Sequence, residues 1–161
     1  MAKKNHFLID GLFGFDGRFR RSEYWIASIG LTIVRLVALL VICGVMGVGL
    51  VEASRMPLVR LGLDLLFLWP AAAITIKRGH DRNRSALYTS VLLFVLYGSG
   101  GVLTFLTQGG NQLAVAGGSV LLLPFMLYMF IDYGLIDGTK GDNRYGPSPK
   151  AVGGAPPLAL D

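Results

Sequence analysis

Charged side chains are scarce in this chain. Asp, Glu, Lys and Arg make up 16% of its 161 residues, against about a quarter in a soluble domain. That deficit excludes a disordered tail, a coiled coil and an ordinary soluble enzyme. Cysteine occurs once, as Cys43 within an apolar run. This excludes an intrachain disulfide and a cysteine-built metal cluster. Histidine occurs twice, at His6 and His80, and no Gly-x-Ser-x-Gly elbow is present, so the chain lacks a nucleophile constellation. A cleavable signal peptide is not expected either. The basic residues 1–6 lead into a short apolar stretch that Asp10 interrupts, with no clear small-residue cleavage site.

What the chain has in abundance is apolar sequence. Hydrophobic residues make up 53%, and the mean hydropathy is +0.57. They form four runs, at 26–50, 58–76, 86–107 and 113–136, apolar nearly all round. Each is close to the roughly 20 residues a helix needs to cross about 30 Å of hydrocarbon. Backbone groups in lipid must bond internally, so these runs are predicted to be helices. The expected fold is an all-α integral membrane bundle of four transmembrane helices. It forms a single domain over residues 1–150, followed by a disordered tail over 151–161, which holds Gly153, Gly154, Pro156 and Pro157.

The net charge of +5 would suggest nucleic acid in a soluble protein. Here the positives lie in loops between the runs, so topology accounts for them and no nucleic-acid partner is expected. Lys3, Lys4, Arg18, Arg20 and Arg21 precede run one. Lys77, Arg78, Arg82 and Arg84 separate runs two and three, and Lys140, Arg144 and Lys150 follow run four. Arg55 and Arg60 are on the other side, and Arg35 is inside run one. The positive-inside rule then puts both termini in the cytoplasm.

Glycines gather in the middle-to-outer parts of the runs, among them Gly44, Gly47, Gly98, Gly101 and Gly117. One reading is a bundle that is tight outside and splayed inside; the other is ordinary glycine tolerance in membrane helices. Pro70 and Pro124 are candidate kinks.

Three ionisable residues lie within the runs, where they are costly and usually face protein or water. At about 1.5 Å per residue, Arg35 lies roughly 13 Å from the inner end of run one, Asp64 roughly 9 Å from the outer end of run two, and Asp132 roughly 6 Å from the inner end of run four. An Arg35–Asp64 pair across the first hairpin is the preferred assignment. Asp132 is expected at the interface, meeting water or headgroups.

Three polar motifs fall on the expected cytoplasmic face. The first is Gly17-Arg18-Phe19-Arg20-Arg21-Ser22-Glu23-Tyr24-Trp25. Ser22 is a candidate N-cap, Tyr24 and Trp25 suit an interfacial belt, and Arg21 and Trp25 share a helix face at i, i+4. The second is Lys77-Arg78-Gly79-His80-Asp81-Arg82-Asn83-Arg84-Ser85. Its positives repel unless an anion or a carboxylate intervenes, with Asp81 and Glu23 as candidates. His80 beside Asp81 has the residue types of a general base. The third is Asp137-Gly138-Thr139-Lys140-Gly141-Asp142-Asn143-Arg144-Tyr145-Gly146-Pro147-Ser148-Pro149-Lys150. It forces turns after run four, but it lacks Walker spacing and calcium-loop spacing. His80, Asp81, Asp137 and Asp142 are metal-ligand types with no spacing that enforces a site. No metal and no cofactor are expected.

These three motifs in order resemble one bacterial inner-membrane family, domain of unknown function 805, the YhaH-like proteins. The shared pattern is Gly-Arg-x-x-Arg-x-Glu-Tyr-Trp, a basic His-Asp-x-x-x-Ser turn, and Gly-Thr-x-Gly-x-Asn-x-Tyr-Gly-Pro-x-Pro, covering roughly residues 13–150. The middle motif departs from the family. Lys77-Arg78-Gly79-His80-Asp81 and Ser85-Ala86-Leu87 stand where the family commonly has Arg-Arg-Leu-His-Asp and Ser-Gly-Trp. The resemblance implies a multi-pass protein of the bacterial plasma membrane and implies no particular activity.

Three functions are compatible with this pattern. The leading one is a non-enzymatic membrane module whose basic cytoplasmic face binds an anionic lipid headgroup, a nucleotide or an acidic partner. Arg18, Arg21, Arg78, His80, Asp81, Arg84, Asp142 and Asn143 are the candidate anion-binding residues. No catalytic residue is assigned. The alternatives are an oligomeric small transporter or channel component using Arg35 and Asp64, and an interfacial enzyme acting on a lipid-linked substrate. The expected partner is a bilayer with anionic phospholipids; homo-oligomerisation and a protein partner stay open.

Overall fold

The computed structural model describes residues 12–150. The expected tail over 151–161, and Lys3 and Lys4, lie outside them. The described chain folds as α1 (Arg21–Met46), a short α2 (Leu50–Arg55), α3 (Pro57–Asp81), α4 (Ala86–Gln108) and α5 (Gln112–Met129). A single π-helical turn, Phe130–Leu135, continues α5. Among the described residues there is no strand, and one isolated bridge joins Asn143 and Gly146. The helices α1, α3, α4 and Gln112–Leu135 are each long and apolar enough to cross a membrane.

Local chemistry sets the helix ends. α1 begins five residues before the expected run, and its cap is not Ser22. Arg20 precedes the first turn, and the Glu23 carboxylate accepts the Arg20 backbone N–H at 3.0 Å. Gly47 ends α1 in a left-handed conformation (φ 66°) with its N–H returned to the Cys43 carbonyl. Pro57 opens α3, where a missing N–H costs nothing. Ser85 Oγ accepts the Tyr88 N–H at 3.1 Å to cap α4, and Asn111 Oδ1 accepts the Ala114 N–H at 3.0 Å to cap α5. Pro70 and Pro124 lie inside helices that continue through them.

The helices pack in a ring. α1 lies against α3, α3 against α4 and α4 against α5, and the π-helical turn returns to α1 and α3. α3 is the centre of this arrangement: it is buried without interruption from Ala73 to Asp81, while α1 and α5 contain no buried residue. Outward faces carry Ile26, Val45, Phe94 and Leu121, each at least 70% exposed. A soluble bundle would hide such residues, whereas hydrocarbon covers them here.

Burial is densest at the end that carries the three motifs. Toward the glycine-rich end, a Cβ placed at Gly44, Gly47, Gly49, Gly98, Gly101 or Gly117 would meet nothing within 4 Å. Two glycines there do permit close approach: a Cβ at Gly118 of α5 would lie 2.8 Å from Leu103 Cδ2 of α4, and one at Gly100 of α4 would lie 2.7 Å from Arg60 Nη2 of α3.

Candidate functional site

The site begins at a problem every helix has: its last four carbonyls lack intrahelical partners. The chain from α5 ends without a glycine turn at Ile136, and side chains from elsewhere serve instead. The Tyr133 carbonyl accepts Arg78 Nε at 2.7 Å, the Gly134 carbonyl accepts Trp25 Nε1 at 2.9 Å, and the Leu135 carbonyl accepts Arg21 Nη1 at 3.0 Å. Arg78 Nη2 donates to the Ile136 carbonyl and Arg82 Nη1 to that of Asp137 at 2.8 Å. The π-helical turn spreads these carbonyls, and the cations face the negative end of the helix dipole. Trp25 also packs its ring on Gly134, where a Cβ would lie 2.8 Å from Trp25 Cζ2. The i, i+4 face of Arg21 and Trp25 therefore acts as a helix cap.

Asp81 is the hub. Its Oδ1 accepts Arg18 Nε at 3.1 Å and Nη2 at 3.0 Å, and its Oδ2 accepts Arg78 Nη1 at 2.5 Å. All three side chains are at most 4% exposed. Arg18 also gives Nη1 to the Gly141 and Gly146 carbonyls at 2.8 and 3.1 Å, and Nη2 to the Thr139 carbonyl at 2.7 Å. Every nitrogen of Arg18 is thus engaged by protein acceptors. The Asp81 carbonyl takes the Thr139 N–H at 2.8 Å and the Thr139 hydroxyl at 3.0 Å. Phe19 N–H reaches the Lys77 carbonyl at 3.1 Å. Gly138 passes so close that a Cβ there would overlap the Asp81 carboxylate.

His80 faces away from Asp81, because neighbours on a helix point about 100° apart. Its Nδ1 lies 3.2 Å from the Gly17 carbonyl, so that nitrogen is the donor. Its ring stacks on Tyr145 with centroids 3.8 Å apart and an angle of 6°, and its Nε2 is buried without a hydrogen-bond partner. A His80–Asp81 base, which the residue types alone would allow, does not form, since two arginines hold the carboxylate. Asn143 completes this side, giving Nδ2 to the His80 carbonyl and to Thr139 Oγ1, both at 2.9 Å.

The structure therefore brings Arg18, Arg78, His80, Asp81 and Asn143 together. It sets three other candidates apart. Arg21 is exposed and lies 3.9 Å from Asp137. Arg84 approaches Asp132 at 3.8 Å and lies over the Tyr88 ring. Asp142 is exposed and accepts the Ser148 N–H at 3.3 Å. Asp132 does not meet water or headgroups as expected: it is 4% exposed and pairs with Arg82 at 2.9 Å. Glu23 pairs with Arg20 at 3.2 Å instead of the basic turn. Among the described residues no three of His, Cys, Asp and Glu form a metal-holding group.

A second polar centre lies within the membrane span. Arg35 Nη2 meets Asp64 Oδ1 at 2.5 Å, and Arg60 Nε lies 3.6 Å from Asp64 Oδ2. Sequence reasoning missed Arg60 as a partner, although its i, i+4 spacing to Asp64 signals it. It also missed Trp25, Thr139 and Gly138 as parts of the hub. The available signal was a helix end with no glycine cap, beside side chains that can only donate.

The fold and this braced end define a class: a four-span integral membrane protein whose three polar motifs lock one end of the bundle. The family model described as "Protein of unknown function (DUF805)" matches residues 12–147, and the chain belongs to that family. It is 33% identical over 144 residues to the uncharacterized protein YiiR of Escherichia coli strain K12, covering 88% of this chain and 89% of the relative. It is 31% identical over 137 residues to the inner membrane protein YhaI of the same strain, covering 85% and 86%. No solved structure matches it.

Proposed function

We propose that this chain is a non-enzymatic module of the bacterial inner membrane, with its motif end in the cytoplasm, that holds anionic lipid headgroups around a rigid collar. One observation carries this reading: the motif end has both deeply buried and exposed cations. Arg18 and Arg78 are buried and engaged by Asp81 and backbone carbonyls. Arg20, Arg21, Arg84, Lys140, Arg144 and Lys150 surround them and are exposed. The buried arginines fix the segments that carry the exposed cations. An exposed cation near an anionic leaflet gains about 1 kcal/mol. The charge asymmetry of the loops supports the cytoplasmic orientation, and the inner-membrane relative supports the location.

Headgroups are favoured over a nucleotide because the exposed cations ring the helix ends instead of lining a cavity. The test uses Trp25 as reporter, in a Trp69→Phe background, in vesicles containing brominated lipid. Brominated phosphatidylglycerol is expected to quench Trp25 more strongly than brominated phosphatidylcholine at equal mole fraction. Arg20→Gln, Arg21→Gln and Arg84→Gln together are expected to remove that preference. Equal quenching by both lipids in the unaltered collar would refute the reading. A cysteine at position 140 in a Cys43→Ser background, labelled from the periplasmic side, would refute the orientation.

A further inference from the structure

The opposite end of the bundle holds a second concentration of unused donors. A cavity of about 330 Å³ is lined by Ser54, Arg55, Arg60, Thr104, Thr107 and Gln108. No carboxylate lines it. Arg55 is exposed and has no ion pair or hydrogen-bond partner among the described residues, and the same is true of the Gln108 amide. Arg60 gives only its Nε edge to Asp64. Its Nη2 lies against Gly100, where a Cβ would be 2.7 Å away, so a glycine makes the room for this guanidinium. Two guanidinium groups and an amide thus converge with free N–H groups. That is the chemistry of a phosphate site.

An apolar groove adjoins this cavity along the same two helices. It has a volume of about 760 Å³ and runs between α3 and α4, past Leu61, Leu65, Leu68, Phe94, Gly98 and Gly101. The two linings are neighbours along both helices: Arg60 and Asp64 are one turn apart on α3, and Thr104 and Gly101 are about one turn apart on α4. Asp64 at that junction is held by Arg35 and Arg60. The groove extends as far as Ile76. From Leu61 that is roughly 22 Å along α3, longer than the roughly 15 Å of hydrocarbon in one leaflet.

A charged pocket that adjoins an apolar groove of this length matches one ligand class. We propose that α3 and α4 bind a single anionic phospholipid, with its phosphate between Arg55 and Arg60 and an acyl chain lying along the groove. This site is at the far end of α3 from Asp81 and is independent of the collar.

Native mass spectrometry of the full chain, titrated with phosphatidylglycerol, phosphatidylcholine or inorganic phosphate, tests it. The expected result is one phosphatidylglycerol bound in preference to phosphatidylcholine and not displaced by inorganic phosphate. Arg55→Gln removes a charged donor that the fold does not use, and is expected to lower this affinity about tenfold. Gly101→Phe fills the groove at a position with nothing within 4 Å, and is expected to weaken phospholipid binding. These titrations are made in the Arg20→Gln, Arg21→Gln, Arg84→Gln background, where the collar no longer selects phosphatidylglycerol, so that the preference that remains reports this site. Unaltered affinity in Arg55→Gln would overturn the proposal. So would competition by inorganic phosphate together with indifference to Gly101→Phe, which would mark a site for free phosphate.

Discussion

Among the carboxylates that sit between two arginines, two belong to α3: Asp81 at its last residue and Asp64 within its first half. Around Asp81 the partners are Arg18 and Arg78, with side-chain exposures of 4%, 1% and 0%. Around Asp64 they are Arg35 and Arg60, at 23%, 33% and 37%. The difference is in what else the arginines do. Arg18 and Arg78 also bind carbonyls at Phe19, Tyr133, Thr139, Gly141 and Gly146. Among the described residues, the side chains of the Asp64 arginines have no such backbone partners. A carboxylate between two arginines is therefore a brace where carbonyls surround it and an open charge centre where they do not.

Breaking each centre should separate them. Asp81→Asn leaves two buried guanidinium groups without their counter-charge, and is expected to cost about 3–5 kcal/mol, read as a lowered melting temperature in detergent. A glycine at the braced end and one on the groove below the Asp64 centre give the next contrast. Gly138→Ala drives a methyl into the Asp81 carboxylate, and is expected to cost about 1–3 kcal/mol. Gly101→Ala meets open space within α4, and is expected to be neutral or to stabilise by up to about 1 kcal/mol. A double-mutant cycle on Arg35→Met and Asp64→Leu is expected to give a coupling of about 0.6–1.7 kcal/mol, the range of polar contacts within membranes.

The smallest effect is expected at Asp137, on the rim of the braced end. Its hydrogen bond from Lys150 holds its carboxyl below the usual carboxylate range. A depressed carboxyl contributes stability at neutral pH and loses it as pH falls through the folded-state value. The pair is exposed and screened. Lys150→Ala is expected to raise the Asp137 titration toward its ordinary value by NMR, with no resolvable change in melting temperature at neutral pH.

The four-helix architecture was legible because hydrophobic run length and loop charge are local properties of the sequence. The Arg35–Asp64 assignment was legible too, since depth along two adjacent helices limits which side chains can meet. The hub was only half legible. The three motifs stood out as polar, and Arg18, Arg78, His80, Asp81 and Asn143 do gather. Their roles were not readable, because the acceptors that define them are mostly backbone carbonyls, which every residue carries. Nothing in the residue types shows that Trp25 caps the Gly134 carbonyl, that Asp132 belongs to Arg82, or that Asp81 turns away from its neighbour His80. Those follow from a π-helical turn and from helix rotation, which single residues do not encode.

The central claim is that Asp81 ties three separate segments into one unit. Hydrogen exchange of the full chain in lipid discs tests it most directly, by comparing the unaltered protein with Asp81→Asn. The amides of Phe19, Thr139, Asn143 and Gly146 are hydrogen-bonded within the braced end. They are expected to be protected in the unaltered protein and to lose protection together in the variant, while α4 is unchanged. Protection lost around Thr139 alone, with Phe19 still protected, would contradict the account.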